Sequence, residues 1–269
     1  MGADVERWLA LGAGLRADTI RVVLTDIDGV LTGGEGGAAD PGVLSRVATW
    51  NDTARRDPFV PAVALCTGRQ APYVELLAQL TRTFLPCLFE HGAGLVDPAR
   101  FRFLFNPALG PAPWRAVAAV RERLDRPLLA PRRAFVQPGK EATLTLYPLG
   151  STTVDELTEA AAAVLAEAGS PFLVTRNIHG VEIRPPGIDK GAGARWLAAR
   201  LGLPLEAFGG VGDADDDLLF LRLVGFPAAP ANATAAVRDE ARFVANGGIG
   251  EGLLEILEHL AARNRGTDA

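Results

Sequence analysis

Hydrophobic positions along the first ninety residues fall in short blocks separated by longer stretches of helical period. Arg21 to Thr25 is almost wholly apolar and β-branched, the pattern of a strand buried on both faces of a parallel sheet, and it ends at Asp26. After the loop GGEGG, Asp40 followed by Pro41 predicts a helix start, with Leu44, Val47 and Trp50 forming one apolar stripe. A second buried strand is expected over Pro61 to Cys66, a helix over residues 72 to 84, and a short strand CLF ending at Glu90. Strands alternating with helices argue for a doubly wound α/β core built on a parallel, Rossmann-like sheet.

The pattern changes near residue 99. FRFLF, a helix around Trp114, Val117, Val120 and Leu124, and the alternating TLTLY predict mixed sheet and helix. Ser151 is expected to cap a helix with Val154, Leu157, Ala161, Val164 and Leu165 on one face, and FLVT and HGVEI read as two further strands. The segment therefore looks like two helix–strand–strand units. We divide the chain into a core of residues 1–98 and 186–269 and an inserted α+β cap of residues 99–185. From Asp189 the alternation resumes with a helix, the strand FGGVG, a helix, the strand FPAAP and a final helix near Leu253 to Leu260.

Length and composition suit such a core, since 48% of the 269 residues are hydrophobic. A net charge of −5, from 27 Lys and Arg against 32 Asp and Glu, gives no broad basic field for nucleic acid or an anionic membrane. A small-molecule ligand at a local site is the expected partner. Cys66 and Cys87 are too few for a disulfide framework, and no Cys/His spacing resembles a zinc site, which fits a reducing cytoplasm. The N-terminal stretch has early acidic residues and no long apolar run, so it reads as a short amphipathic helix using Val5, Trp8 and Leu9 rather than a leader or a span.

Four segments carry candidate chemistry. TDIDGVLT lies where a buried strand opens into a loop, and groups at strand carboxyl ends line the ligand crevice of an open α/β sheet. Asp26 and Asp28 alternate with the period of a strand, so both can face one side, and Gly29 lets the chain turn. A carboxylate can attack phosphorus only where the phosphate's charge is neutralised, which calls for a divalent cation and nearby basic groups. LCTGR places Thr67, Gly68 and Arg69 just after the second buried strand, offering a hydroxyl and backbone N–H groups to a phosphate. Asp189-Lys190 opens a helix ended by Gly202 and Pro204, which puts Lys190 on the first turn. GVGDADDD supplies Asp213, Asp215, Asp216 and Asp217, a hard oxygen cluster suited to magnesium. Taken singly, each also has a structural reading: an Asp-rich turn, a strand-to-helix turn, a surface lysine, a solvated acidic loop.

In this order, and each at a strand end or helix start, the four segments resemble the signature of haloacid dehalogenase-like phosphatases, from about residue 21 to the C-terminal helix. The insertion between the second and third motifs resembles the large cap of the Cof-type sugar phosphatases, and EHGAG resembles that group's NGA-type segment with His91 where Asn is usual. The resemblance implies that Asp26 attacks phosphorus and that Asp28 protonates the leaving oxygen and then activates water. It implies a Mg2+ site made by Asp26, the Asp28 backbone carbonyl, Asp213 and Asp217, with Thr67, Gly68 and Lys190 on the phosphoryl group. The fourth motif departs from the family's G-D-x-x-N-D, because Asp216 stands where Asn is usual, replacing a phosphate-binding amide by an acceptor.

Arg69 and His91 at the rim, and Arg132, Arg133, Lys140, Arg176 and His179 in the cap, are further candidates for substrate contact. GGEGG has neither the lysine nor the spacing of a P-loop and reads as a flexible connector. Trp50, Trp114 and Trp196 sit on helical stripes and read as core. The expected function is Mg2+-dependent hydrolysis of a small phosphate monoester, such as a sugar phosphate. A sugar phosphomutase and a noncatalytic binding protein on the same fold are the alternatives.

Overall fold

The computed structural model describes residues 2–267. In chain order the core begins with α1 (Ala3–Leu11), β1 (Val22–Thr25), α2 (Pro41–Ala54), β2 (Ala62–Leu65), α3 (Ala71–Leu80), β3 (Cys87–Phe89), β4 (Gly94–Asp97) and β5 (Arg102–Phe105). The cap follows with α4 (Pro113–Leu124), β6 (Ala134–Val136), β7 (Leu144–Pro148), α5 (Val154–Glu167), β8 (Leu173–Arg176) and β9 (Val181–Arg184). The chain returns to the core through α6 (Lys190–Leu201), β10 (Phe208–Val211), α7 (Leu218–Leu221), β11 (Phe226–Ala229), α8 (Ala235–Glu240), β12 (Phe243–Val244) and α9 (Glu251–Arg265).

The core sheet runs β12-β11-β10-β1-β2, parallel throughout, and Leu88 of β3 bridges Cys66 beyond β2. Its β1 residues are apolar without alternation because both faces are covered. Val22 and Leu24 pack with Val5 and Trp8 of α1 and Leu197 and Leu201 of α6, while Val23 packs with Val47 of α2, Val74 of α3 and Ile256 of α9. The doubly wound reading therefore holds. From β1 the chain moves outward one way to β2, and after the cap it returns at β10 and moves outward the other way. The carboxyl ends of β1 and β10 thus adjoin at the topological switch, where an open α/β sheet has its crevice.

The cap sheet, β6-β7-β9-β8, is antiparallel and is backed by α4 and α5 over its own apolar cluster, including Val120, Leu146, Leu157 and Ile183. Two helix–strand–strand units form it, as the pattern predicted. One strand lies differently: FRFLF, assigned by sequence to the cap, forms β5 and pairs with β4 in a separate three-stranded antiparallel sheet, Leu95 opposite Leu104. Alternation along a strand says which face is apolar but not which strand is its neighbour. The cap of residues 99–185 was drawn one strand too early on this point.

Smaller corrections have local causes. α5 is capped by Thr153 rather than Ser151, because Thr153 and Glu156 form a reciprocal capping box. α3 ends at Leu80 rather than residue 84. Trp114 is not core; it is 47% exposed and lies against the Phe105 ring at 6.2 Å. β12, two residues long, is too short to give a pattern. Among the described residues no helix is long and apolar enough to cross a membrane.

Cap and core are joined at Glu90, whose left-handed backbone (φ 48°) is followed by a left-handed His91 (φ 57°). The buried Glu90 carboxylate accepts from the backbone N–H groups of Glu141 (3.0 Å), Ala142 (2.9 Å) and Thr143 (2.8 Å), and from the Thr143 hydroxyl. Removing it strands three amides that the fold has taken from water. Glu90→Ala is expected to lower stability by about 2–4 kcal/mol in urea unfolding. A change under about 0.5 kcal/mol would mean that this carboxylate does not tie the cap to the core.

Candidate active site

The strand ends bring acidic groups together around one lysine. Asp26 follows β1, its N–H donating to Val211 of β10 at 2.9 Å, and Asp213 follows β10. Gly29, at φ 86°, turns the first loop so closely past Asp213 that a Cβ there would sit 2.1 Å from its Oδ2. Only glycine fits that position. Asp217 closes the second loop by accepting on Oδ2 from the N–H groups of Asp213 (2.9 Å) and Ala214 (3.1 Å). Lys190 opens α6, whose first turn is capped by the Asp189 carboxylate accepting from the Ala192 N–H. Its buried ammonium lies 2.6 Å from Asp217 Oδ1 and 3.1 Å from both Asp26 Oδ2 and Asp216 Oδ2.

One ammonium does not balance this charge. Burial pushes Asp26 well above the usual carboxylate range, and the neighbouring Asp217 adds to this against the pull of Lys190. Burial and Asp217 push Asp213 up to about 7, and burial also raises Asp217. Burial alone would lower Lys190, but Asp216, Asp217 and Asp26 together hold it well above its ordinary value. Oxygens of Asp26, Asp213 and Asp217 lie within 4.8 Å of one another, and Oδ1 of Asp26 and of Asp213 are buried without a hydrogen-bond partner. Three hard oxygen donors, two with unused atoms, are a donor set suited to a divalent cation.

The remaining candidates surround a cavity of about 720 Å3 between core and cap. Thr67 and Gly68 line it after β2, and Gly68 lies so close to the His91 ring that a Cβ there would stand 2.5 Å from Nε2 unless the imidazole moved. Arg69 grips the Asp28 carboxylate with two nitrogens, at 2.6 and 3.1 Å, and lies 3.6 Å from Glu35. His91 is buried between core and cap, 3.7 Å from Asp216 and 3.4 Å from Glu182, without hydrogen-bond alignment to either; burial lowers its pKa. Asp216 faces Lys190 and His91 and is not one of the three clustered oxygen donors. Arg176 and His179 line the exposed rim, where Arg176 pairs with Asp155 at 2.7 Å.

Three residues escaped sequence reasoning. Glu35, in the loop read as a connector, accepts hydrogen bonds from Tyr147 and Gln137 of the cap. Glu182 and Arg184 lie two apart on β9, opposite the apolar face formed by Val181 and Ile183. The alternation V-E-I-R was the signal available for them.

The sequence profile of the haloacid dehalogenase-like hydrolases matches residues 137–257. The crystal structure of the Thermoplasma acidophilum 0175 protein superposes with a TM-score of 0.70, covering 90% of this chain and 98% of that one at 19% identity. Over the segment matched by the profile, a little under half of its length, the chain is similar to the haloacid dehalogenase-like hydrolases, and it shares the fold of the superposed structure. A phosphoglycolate phosphatase of Methanothrix thermoacetophila is 36% identical over 104 residues, 39% of this chain and 47% of that protein. This chain thus matches about half the length of that relative. Another, from Natronomonas pharaonis, is 27% identical over 87% of this chain and 94% of its own length.

Within the cap, Glu182 is the most heavily bonded acid. It lies 3.1 Å from the buried Lys140 ammonium and accepts from the Thr145 hydroxyl at 3.0 Å. Burial alone would raise its pKa, yet Lys140 and His91 hold it down at about 2, from an ordinary value of 4.5. A depressed carboxyl stabilises the fold fully above its unfolded pKa and loses that contribution as pH falls through the folded one. The advantage of wild type over Glu182→Gln should be about 3 kcal/mol near neutral pH and shrink as pH falls from about 5 toward 2. Unfolding curves for both proteins across that range measure it; a gap independent of pH would refute the assignment.

Proposed function

We propose that this protein is a Mg2+-dependent phosphatase that hydrolyses a small phosphate monoester through a phosphoaspartate on Asp26. The observation that carries this reading is the Asp26 carboxylate, buried at the sheet's switch point with Oδ2 on Lys190 and Oδ1 unpaired. A structural carboxylate so deeply buried would have both oxygens satisfied. Asp26, Asp213, Asp217 and the Asp28 backbone carbonyl would hold the cation, and the unused oxygens of Asp26 and Asp213 fit that role. Bound there, Mg2+ would offset the mutual repulsion of carboxylate and phosphate that otherwise blocks attack.

The rest of the chemistry falls to the chain's own groups. Asp26 forms the bond to phosphorus as the ester oxygen departs, and Thr67, Gly68 and Lys190 hold the phosphoryl oxygens. Asp28 protonates the departing oxygen and then takes a proton from the water that cleaves the phosphoaspartate. Its carboxylate is gripped by Arg69, so an anionic substrate that competes for Arg69 would free Asp28 to carry a proton. The cap, from α4 to β9, roofs the cavity and can exclude bulk water, with Arg69, His91, Arg176 and His179 at its wall and rim. A sugar phosphate fits such a compact polar chamber. The relatives named as phosphoglycolate phosphatases favour a shorter, carboxylate-bearing ester. Two free buried cysteines, Cys66 and Cys87, fit a reducing cytoplasm.

Phosphate release from a panel of phosphorylated metabolites tests the reading. Asp26→Asn is expected to lower kcat by on the order of 10^4 with the fold intact, since an amide cannot form the intermediate. Chelation should abolish wild-type activity and Mg2+ restore it; turnover that survives either treatment sinks the mechanism. Asp216→Asn should tighten inhibition by inorganic phosphate severalfold without changing the Mg2+ requirement, because Asp216 is a carboxylate beside the phosphoryl site. Weaker Mg2+ activation in that variant would instead make Asp216 part of the cation site.

A further inference from the structure

The cavity's cations can be sorted by their partners. Arg69 is held by Asp28, Lys140 by Glu182, Lys190 by Asp26, Asp216 and Asp217, and Arg176 by Asp155. Arg184 differs from all of them. It is 8% exposed, lines the cavity and makes no hydrogen bond or close ion pair with any described residue; Nε and Nη1 are buried without a hydrogen-bond partner, and the one carboxylate its charge acts on, Asp216, is already held by Lys190 at 3.1 Å. A buried unpaired guanidinium is costly to keep, and a fold that retains one has either a bound anion or a strong packing reason. Packing does not require it here, because Val181 and Ile183 fill the cap's apolar cluster from the opposite face of β9, and Glu182 and Arg184 are turned toward the core.

We propose that Arg184 is a specificity-determining residue that binds a carboxylate carried by the substrate in addition to its phosphate. In the phosphatase reading Thr67, Gly68 and Lys190 take the phosphoryl group at the core end of the cavity, whereas Arg184 approaches from the cap. A planar guanidinium fork matches the two coplanar oxygens of a carboxylate, which can accept from adjacent nitrogens at once. The hydroxyls of a neutral sugar would leave the positive charge uncompensated, so the site discriminates in favour of short phosphorylated carboxylic acids over neutral phosphorylated alcohols of equal length. The identity of the reaction rests on the phosphatase reading above, but the anion subsite does not.

Binding and turnover are therefore measured separately. In calorimetry with Mg2+ present, wild type should bind 3-phosphonopropionate about tenfold or more tighter than propylphosphonate, which differs in lacking the carboxylate. Arg184→Met should erase that preference while leaving propylphosphonate affinity unchanged, and Arg184→Lys should retain part of it. In turnover, wild type should favour 2-phosphoglycolate over 2-hydroxyethyl phosphate by about tenfold in kcat/KM, and Arg184→Met should remove the advantage through KM rather than kcat. Equal wild-type affinities for the two phosphonates, or binding of neither, would overturn the proposal without reference to any variant's folding. An equal loss for both ligands in Arg184→Met would place Arg184 on the phosphoryl group and overturn it as well. If the carboxylate preference persists but no ester is hydrolysed, the subsite stands and the phosphatase reading falls.

Discussion

The buried ammonium of Lys190 is the point on which the site's arrangement depends. Three carboxylates approach it within 3.1 Å, on loops that leave two different strands, and without it Asp26, Asp216 and Asp217 would be like charges crowded out of water. At such distances and in a low local dielectric, repulsion between carboxylates would open the loops or protonate them. The lysine is therefore both a structural clamp between the two halves of the core and the positive end of the cavity. It still leaves an excess of negative charge on the Asp26, Asp213 and Asp217 cluster, whose carboxyls are all pushed above their ordinary range by burial and by neighbouring carboxylates.

The architecture explains why these groups can meet at all. A parallel sheet places all its carboxyl ends on one edge, and the reversal of winding at β1 and β10 opens a gap there. Gly29 lets the first loop pass close to Asp213, and the backbone amides of the second loop anchor Asp217. The cap then descends from Glu90, whose carboxylate collects three cap amides, and reaches back to the core through Glu35 and Tyr147 on one side and His91 and Glu182 on the other. Polar contacts of this kind, rather than a continuous apolar seam, leave a chamber that is walled with charge.

Much of this was legible in the chain itself. Short runs of apolar β-branched residues and helices of period 3.6 report burial, so the doubly wound core and the two helix–strand–strand units of the cap follow from pattern alone. The acidic pair at Asp26 and Asp28, the Thr67-Gly68-Arg69 turn, Lys190 at a helix start and the Asp213 to Asp217 cluster were each visible because a strand end or helix start restricts where a side chain can point. Those restrictions are local, spanning a few residues, and sequence carries local information well.

What only the tertiary structure decided concerns partners. Alternation in FRFLF could not say that its neighbour is β4, since register and pairing depend on which edge is free when the sheet forms. The motif position of Asp216 said nothing of which groups it faces, and only the fold brings Lys190 and His91 against it. Glu35 looked like part of a flexible glycine loop until the cap brought Tyr147 over it, and Arg184 was one arginine among many until every other cation in the cavity was seen to be paired. Charge compensation acts through space between segments far apart in sequence; residue order therefore determined the elements and the chemical types at their ends, while packing determined which charges were left without partners.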